Sequence, residues 1–365
     1  MRVLLVNTRP DAIQFWGGDT TQVVETQKAL RRLGVSVDLG GEASCDWSNY
    51  DLVHLFNMQT AENGLNLLNR AKAASKPAAL STIYWDLRYA RHPDNLRYGD
   101  SALWARFAFA SPGLAMTLHR LRYLRGHLRQ LRAQTKLLRD VDLLLPNSVA
   151  ELESLVAQFA LPELRARAAI VPNAVNPPPT VLPTPNLAFA NLPENFVLMA
   201  AGFHPIKGQA RLIQALMGED QVPLVCVGHS REGTRYGRHC QILAARRGHT
   251  FLLDAVKYEE MPQLYRRAKV HALPSLRESP GLATLEAAVW GANCVVSIHT
   301  PVQEYFGRDC FVCNPLSLSS LRNAVMAAWN ASPNPRLRDR ILRVNTWQRA
   351  AEETLRGYEW LLRKR

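Results

Sequence analysis

Apolar positions along this chain fall into two series of short runs, each alternating with stretches of helical spacing. VLLVN, VSVDL, LVHLF, PAALSTIYW, DLLLPN and AIVPN lie within residues 1 to about 175. Runs this short, bounded by turn residues and separated by segments of 3.6-residue periodicity, predict buried strands alternating with helices, the pattern of a doubly wound parallel sheet. NPPPTVLPTPNLAFANLPEN then opens with five prolines within nine residues, which can continue neither a helix nor a central strand. Residues 176–194 are therefore expected to form an exposed connector. A second alternating series follows over 195–345: FVLMAAG, PLVCVG, TFLLDAV, KVHALPS, CVVSIH and CFVC. The final helical pattern, roughly 346–362, predicts a buried face of Trp347, Leu355, Tyr358 and Leu362.

Within the second series, ALPSLRESPGLATLEAAVWGANCVVS (272–297) reads as strand, loop and helix. Pro280 and Gly281 break the chain, and Leu282, Leu285, Ala288 and Val289 recur at helical spacing. The first turn of such a helix has unpaired N–H groups and the positive end of the helix dipole, so it favours an anion such as phosphate. Gly281 removes the side chain that would block approach. Glu278 and Glu286 flank this start, and a carboxylate beside a phosphate must bind neutral hydroxyls instead. A nucleotide sugar, with its diphosphate between a ribose and a hexose, matches that requirement. The bland alternative makes Glu278 a helix cap and Glu286 a solvated residue.

The two glutamates with seven residues between them, set in P-S-x2-E-x2-G-x4-E-A, resemble the donor-site signature of retaining family-4 glycosyltransferases. The resemblance extends in order through WGGDTTQVVETQKALRRLGVSVDL, YDLVHLFN, LLLPNS, AIVPNAVN, AGFHPIKGQARLIQAL, VCVGHS, MPQLYRRAKVHALPS and NTWQRAAEETLRGYEWLL. It implies a GT-B fold: two Rossmann-like doubly wound α/β domains facing across a cleft, an acceptor-side domain over 1–175 and a donor domain over 195–345. The segment 346–365 would cross back to the first domain. It also implies transfer of a hexose, with retention, from a UDP- or GDP-sugar to a cell-envelope glycan or glycolipid, without metal or other cofactor. By the same resemblance, Glu278, Lys207 and Asp19 would be catalytic. Gly17, Gly18, Lys207, Val256, Tyr258, Glu278, Gly281, Leu282, Ala283 and Glu286 would bind the donor.

Several residues keep two readings. Lys207 precedes a helix start and suits a phosphate or a surface ion pair. Asp19 suits a sugar or an N-cap. Tyr84, Trp85 and Asp86 end a strand, where an aromatic pair serves a sugar ring or the core. Asn57 ends another strand, and Asn173 suits a turn. Asp38, about 20 residues beyond the Gly17–Gly18 loop, imitates the ribose-binding acid of a nicotinamide enzyme, but that loop is not G-x-G-x-x-G. The resembling family carries an arginine five residues before Lys207, where this chain has Gly202. His204, His229, Arg231 and Arg277 are the available substitutes. This departure sustains the alternative of a non-catalytic nucleotide-sugar-binding or assembly subunit.

Charge adds one element to the picture. The net charge is +13, and LHRLRYLRGHLRQLRAQTKLLR (118–139) sets Leu121, Leu124, Leu128, Leu131 and Leu138 beside Arg122, Arg125, Arg129, Arg132, Lys136 and Arg139. Adjoining apolar and cationic stripes suit an anionic membrane surface or an ordinary packing helix with a solvated face. No aromatic stacking pattern points to nucleic acid. No apolar run reaches the roughly 18 residues of a spanning helix and no basic-then-apolar leader opens the chain, so a cytoplasmic protein, peripheral at the membrane if at all, is expected. The six cysteines (45, 226, 240, 294, 310, 313) lie mostly in apolar runs, which suits reduced, buried thiols. Cys310 and Cys313 form a lone C-x-x-C within a strand-like run. Asp140 and Asp142 spell D-x-D at a helix-to-strand junction, read as a cap and a buried hydrogen-bond partner rather than metal ligands.

Overall fold

In the computed structural model of the protein, the described residues are 1–12, 17–40, 46–84, 110–111, 113–115, 117–118, 124–179 and 184–364. They form two compact units, one built from Met1–Trp85, Tyr123–Ala174 and Val344–Arg365, the other chiefly from Val175–Arg343. Trp85, Asp86, Cys45, Leu121 and Arg122 lie outside the described residues.

The first unit runs β1 (Arg2–Asn7), α1 (Gly18–Arg32), β2 (Ser36–Gly40), β3 (Leu52–Phe56), α2 (Ala61–Ala73), β4 (Ala78–Ser81), α3 (Leu124–Asp140), β5 (Leu143–Leu144) and α4 (Val149–Phe159). Its strands are parallel in the order β2-β1-β3-β4-β5. Because side chains alternate across a strand, Leu4 and Val6 pack with Leu67 of α2, Leu137 of α3 and Leu155 of α4, while Val3 and Leu5 pack with Val23 and Leu30 of α1. AIVPN does not extend the sheet as a sixth strand. Ala169 and Val171 donate backbone bonds of 2.9 Å to Leu144 and Pro146, but prolines at 146 and 172 interrupt a ladder.

The second unit comprises β6 (Phe196–Ala200), α5 (Gln209–Ala215), β7 (Leu224–Val227), α6 (Arg235–Arg247), β8 (Thr250–Leu253), α7 (Met261–Arg267), β9 (Ala268–Leu273), α8 (Leu282–Val289), β10 (Asn293–Ser297), α9 (Val302–Tyr305), β11 (Phe311–Cys313), α10 (Leu318–Asn330) and α11 (Pro335–Val344). Its parallel order is β11-β10-β9-β6-β7-β8, so the direction of strand addition reverses between β6 and β9. Residues 184–194 are less exposed than a bare connector. Phe189 and Leu192 are buried with Phe196, and Arg267 donates to the carbonyls of Phe189 and Pro193.

The last helix, α12 (Trp347–Arg363), covers the face of the first sheet that α1 also covers, and buries Trp347, Ala350, Ala351, Tyr358 and Leu361. Leu355 and Leu362 are only partly buried, since Gly357 and the alanines bring the backbone closest to the sheet. A buried polar chain fixes its placement: His54 of β3 meets the Tyr358 hydroxyl at 2.6 Å and Ser81 of β4 at 2.9 Å. Burial pushes the His54 pKa down to about 3, so the ring is neutral.

Tyr358→Phe should leave one ring nitrogen of His54 buried without its partner and cost about 1–3 kcal/mol, read as a lower Tm. Since folded His54 resists a proton that the unfolded chain takes up near pH 6.5, stability present above that pH should fall as pH drops toward 4. A Tm independent of pH over that window would contradict the assignment.

Candidate active site

In open parallel sheets, ligands are received at the carboxyl ends of strands where the order reverses. In the second unit that place is the gap between β6 and β9, and the loops leaving these two strands meet there: the Leu276 N–H donates to the Ile206 carbonyl at 2.8 Å. Gly208 has φ +92°, and a Cβ on it would lie 2.9 Å from the Pro274 carbonyl oxygen, so the close approach needs glycine. This contact sets Lys207 against Glu278. Lys207 Nζ lies 2.6 Å from Glu278 Oε2, with side chains only 16% and 8% exposed. The Ser275 hydroxyl donates to the same oxygen at 3.0 Å.

Gly281 sits at the N-cap of α8 with φ +91°, and a Cβ there would press Leu273 at 2.9 Å and Glu278 at 3.0 Å. No side chain caps this helix, and the backbone donors of Thr284 and Leu285 turn back to the Gly281 carbonyl. The N–H groups of Leu282 and Ala283 precede those bonds, as the first donors of a helix must. One turn on, Glu286 receives two phenols. The Tyr258 hydroxyl donates to Oε1 at 2.8 Å and the Tyr265 hydroxyl to Oε2 at 2.6 Å. Burial, and then the charge of Glu286, hold the Tyr265 hydroxyl protonated far above the usual phenol range. Tyr258, Tyr265 and Glu286 line a cavity of about 530 Å³ together with Pro177–Pro179, Met261, Val289 and Trp290. Val256 packs against the neighbouring core.

Gly17, Gly18 and Asp19 belong to the first unit, at the start of α1. Gly17 is the N-cap, so Asp19 is not a cap but a first-turn residue. Its Oδ2 accepts from Asn7 at 3.3 Å and Asn57 at 3.2 Å, and Arg9 lies 3.3 Å away. Asn7 ends β1 and Asn57 follows β3, so Asp19 is held at the reversal point of the first sheet.

Other sequence candidates resolve into structural roles. Tyr84 is fully buried, with its hydroxyl on Gln158 and its ring edge-on to Phe159, and so belongs to the core. Asp142 accepts from the Ala78 N–H at 2.8 Å, while Lys136 and Lys72 surround Asp140 and hold its carboxyl below the usual range. Burial pushes the Cys310 and Cys313 thiols up to about 11 and about 12. Arg231 is committed to Asp254 at 2.7 Å and to Glu232. The imidazole of His229 covers Gly202, and a Cβ at that position would meet its ring at 2.6 Å. An arginine at 202 and His229 as it stands therefore exclude each other. On α3, Leu137 and Leu138 are buried, but Leu128 is 40% exposed, so the leucine stripe is not wholly a packing stripe.

The sequence did not reveal Tyr265, Ser275 or the His229 cover. Only Tyr265 beside Leu264 in an otherwise mixed helix offered a signal, since a buried phenol requires a partner.

Comparison with known proteins supports the fold. Superposition covers all of this chain and all of a sucrose-phosphate synthase from Thermosynechococcus elongatus, with TM-score 0.73 at 15% identity. The Anabaena protein HepE in complex with UDP gives 0.65 at 16% identity over 99% of this chain and 100% of its own, and a glycosyltransferase from Rickettsia africae 0.68 at 13% over 100% and 99%. Two parallel α/β sheets with such full-length likeness define the GT-B fold class. Residues 188–338 match the family Glycosyl transferases group 1, and the second unit belongs to that family. A D-inositol 3-phosphate glycosyltransferase of Salinispora tropica is 33% identical over 124 residues, which is 29% of this chain and only 25% of that relative's length.

Breaking the shielded Lys207–Glu278 pair at one end should cost stability that breaking it at both ends partly restores. A double-mutant cycle of Lys207→Ala and Glu278→Gln, followed by denaturant unfolding, should give a coupling of about 1–3 kcal/mol. Additive effects would mean that the two side chains do not interact in solution.

Proposed function

We propose that the protein is a retaining glycosyltransferase that moves a hexose from a nucleoside diphosphate sugar to a cell-envelope glycan or glycolipid. The observation that carries this reading is the meeting of Lys207, Glu278 and the uncapped start of α8 at the reversal point of a group 1 glycosyltransferase domain. Lys207 and the N–H groups of Leu282 and Ala283 bind the diphosphate, which Gly281 allows to approach. Glu278, already held by Ser275, orients the transferred sugar through its hydroxyls. Glu286 binds the ribose hydroxyls, with the backbone around Val256 and Tyr258 beside the base. The relatives solved with UDP and with UDP-glucose support a nucleotide-sugar donor.

In this reading the acceptor attacks on the face that the leaving group departs from, and a leaving phosphate oxygen takes the acceptor proton. Catalysis is then positioning plus stabilisation of charge as it grows on the diphosphate. Lys207 supplies one cation, and His229, over Gly202, is placed at the end of β7 where the second would be needed. The first unit is the acceptor side, with Gly17 and Gly18 permitting close backbone approach and Asp19 oriented by Asn7, Asn57 and Arg9. No metal is assigned a role.

For location we favour the inner face of an anionic membrane. Arg125, Arg129, Arg132, Lys136 and Arg139 are exposed on α3 beside exposed Leu128, although Arg129 also pairs with Glu62 and Lys136 with Asp140. No helix among the described residues is long and apolar enough to cross a membrane.

Incubation with a panel of UDP- and GDP-sugars, read by mass spectrometry for donor cleavage and by NMR for the product anomer, tests the activity. Neither hydrolysis nor transfer with any donor would favour the binding-only subunit. Lys207→Ala should weaken UDP or GDP about tenfold or more, by loss of a charged contact, and leave the bare nucleoside unchanged. Equal loss of nucleoside affinity would instead report misfolding. Replacing Arg125, Arg129 and Arg132 with glutamine should release the protein from vesicles of anionic lipid at low salt, each charge contributing roughly 1 kcal/mol. Wild-type binding no better to anionic than to neutral vesicles would end the membrane assignment.

A further inference from the structure

Glu286 is fixed from both sides by neutral donors, and this has a consequence for what the site can discriminate. Its partners come from three places in the second unit: Glu286 from α8, Tyr265 from α7, and Tyr258 from the turn Tyr258–Glu260 just before it. Each phenol takes a different oxygen, at 2.8 and 2.6 Å. The last torsion of a glutamate is otherwise broad, so an unsupported carboxylate sweeps its lone pairs through many directions. Two donors on opposite oxygens fix its plane. Each oxygen has a second lone pair, and a vicinal diol presents two hydroxyls at a spacing that suits the two oxygens of one carboxylate. Neutral phenols also leave the carboxylate its charge, whereas a cation in their place would compete with weak hydroxyl donors.

The two tyrosines differ in what holds them. Tyr265 is buried with Leu264 and Phe196, and that burial holds its hydroxyl in the protonated, donating form. Tyr258 is 39% exposed on the wall of the 530 Å³ cavity. One clamp is rigid and the other is adjustable.

We infer that Tyr265, assisted by Tyr258, is a positioning residue that aims Glu286 at the ribose diol and thereby makes the site select ribonucleotides over 2′-deoxyribonucleotides. This rests on the proposed assignment of Glu286 to the ribose, and the experiment separates the two.

Affinities of UDP and GDP, each against its 2′-deoxy form, are measured by calorimetry for wild type, Glu286→Gln, Tyr265→Phe and Tyr258→Phe. The wild type should prefer the ribo form of its base by about tenfold or more, the worth of a hydrogen bond to a charged group. Glu286→Gln and Tyr265→Phe should both bring this ratio close to one, with Tyr258→Phe reducing it by about two- to threefold. A general loosening of the fold would lower both affinities together and leave the ratio unmoved. If Glu286→Gln abolishes the ratio while Tyr265→Phe preserves it, the positioning role is overturned and the ribose assignment stands. If Glu286→Gln also preserves it, both fall. Should Tyr265→Phe fail to fold, Tyr258→Phe decides: an unchanged ratio overturns the clamp.

Discussion

The ion pair between Lys207 and Glu278 joins the loops that leave two adjacent parallel strands on either side of a reversal in strand order. Parallel strands point all their carboxyl ends one way, and where the order reverses, the following helices pass to opposite faces and leave a crevice. Without a contact across that crevice, the Lys207 loop and the start of α8 would be set independently. The pair, the Leu276 to Ile206 backbone bond and the packing of Gly208 on Pro274 register them to one another. The same charges are those a diphosphate sugar would engage, so the groups that shape the crevice are also its candidate chemistry.

A similar economy governs the rest of helix α8. Its first turn offers backbone donors, its second offers Glu286, and its end offers Val289 and Trp290 to the cavity. Backbone donors, a carboxylate and apolar surface are thus presented in sequence along one helix, because residues three, four and seven apart share a side. The tyrosines from α7 and the preceding turn supply the lateral support that helix spacing alone cannot.

Strand identity was readable because short apolar runs admit few other structures, and both parallel sheets appear as the periodicity required. AIVPN failed as a strand because its proline and that of LLLPNS deny the ladder its donors, a signal present but outweighed by the valine and isoleucine. The pairing of Lys207 with Glu278 was not legible, though both residues stood out singly: they are 71 positions apart, and only strand order brings them together. For the same reason the cover of Gly202 by His229 could not be seen. Glycine in the sequence reports missing volume but not what fills it. Tyr84 was ambiguous since a strand-end aromatic satisfies core and sugar equally, and its full burial against Phe159 with Gln158 on its hydroxyl decided. Leu128 fits the helical stripe yet is exposed, because periodicity reports which side chains share a helix face and not what packs against that face.

The hydrogen bond between His54 and Tyr358 spans 304 positions. Synthesis delivers α1 and β3 early and α12 only after the second unit, so the part of this sheet face that lies against Gly357, at Leu143 and Leu145, waits uncovered while that unit is made. The second unit's own elements are contiguous enough to collapse as soon as they emerge. Chains truncated before residue 347 should therefore display a finished second unit and an incomplete first one that exposes an apolar surface suited to a chaperone.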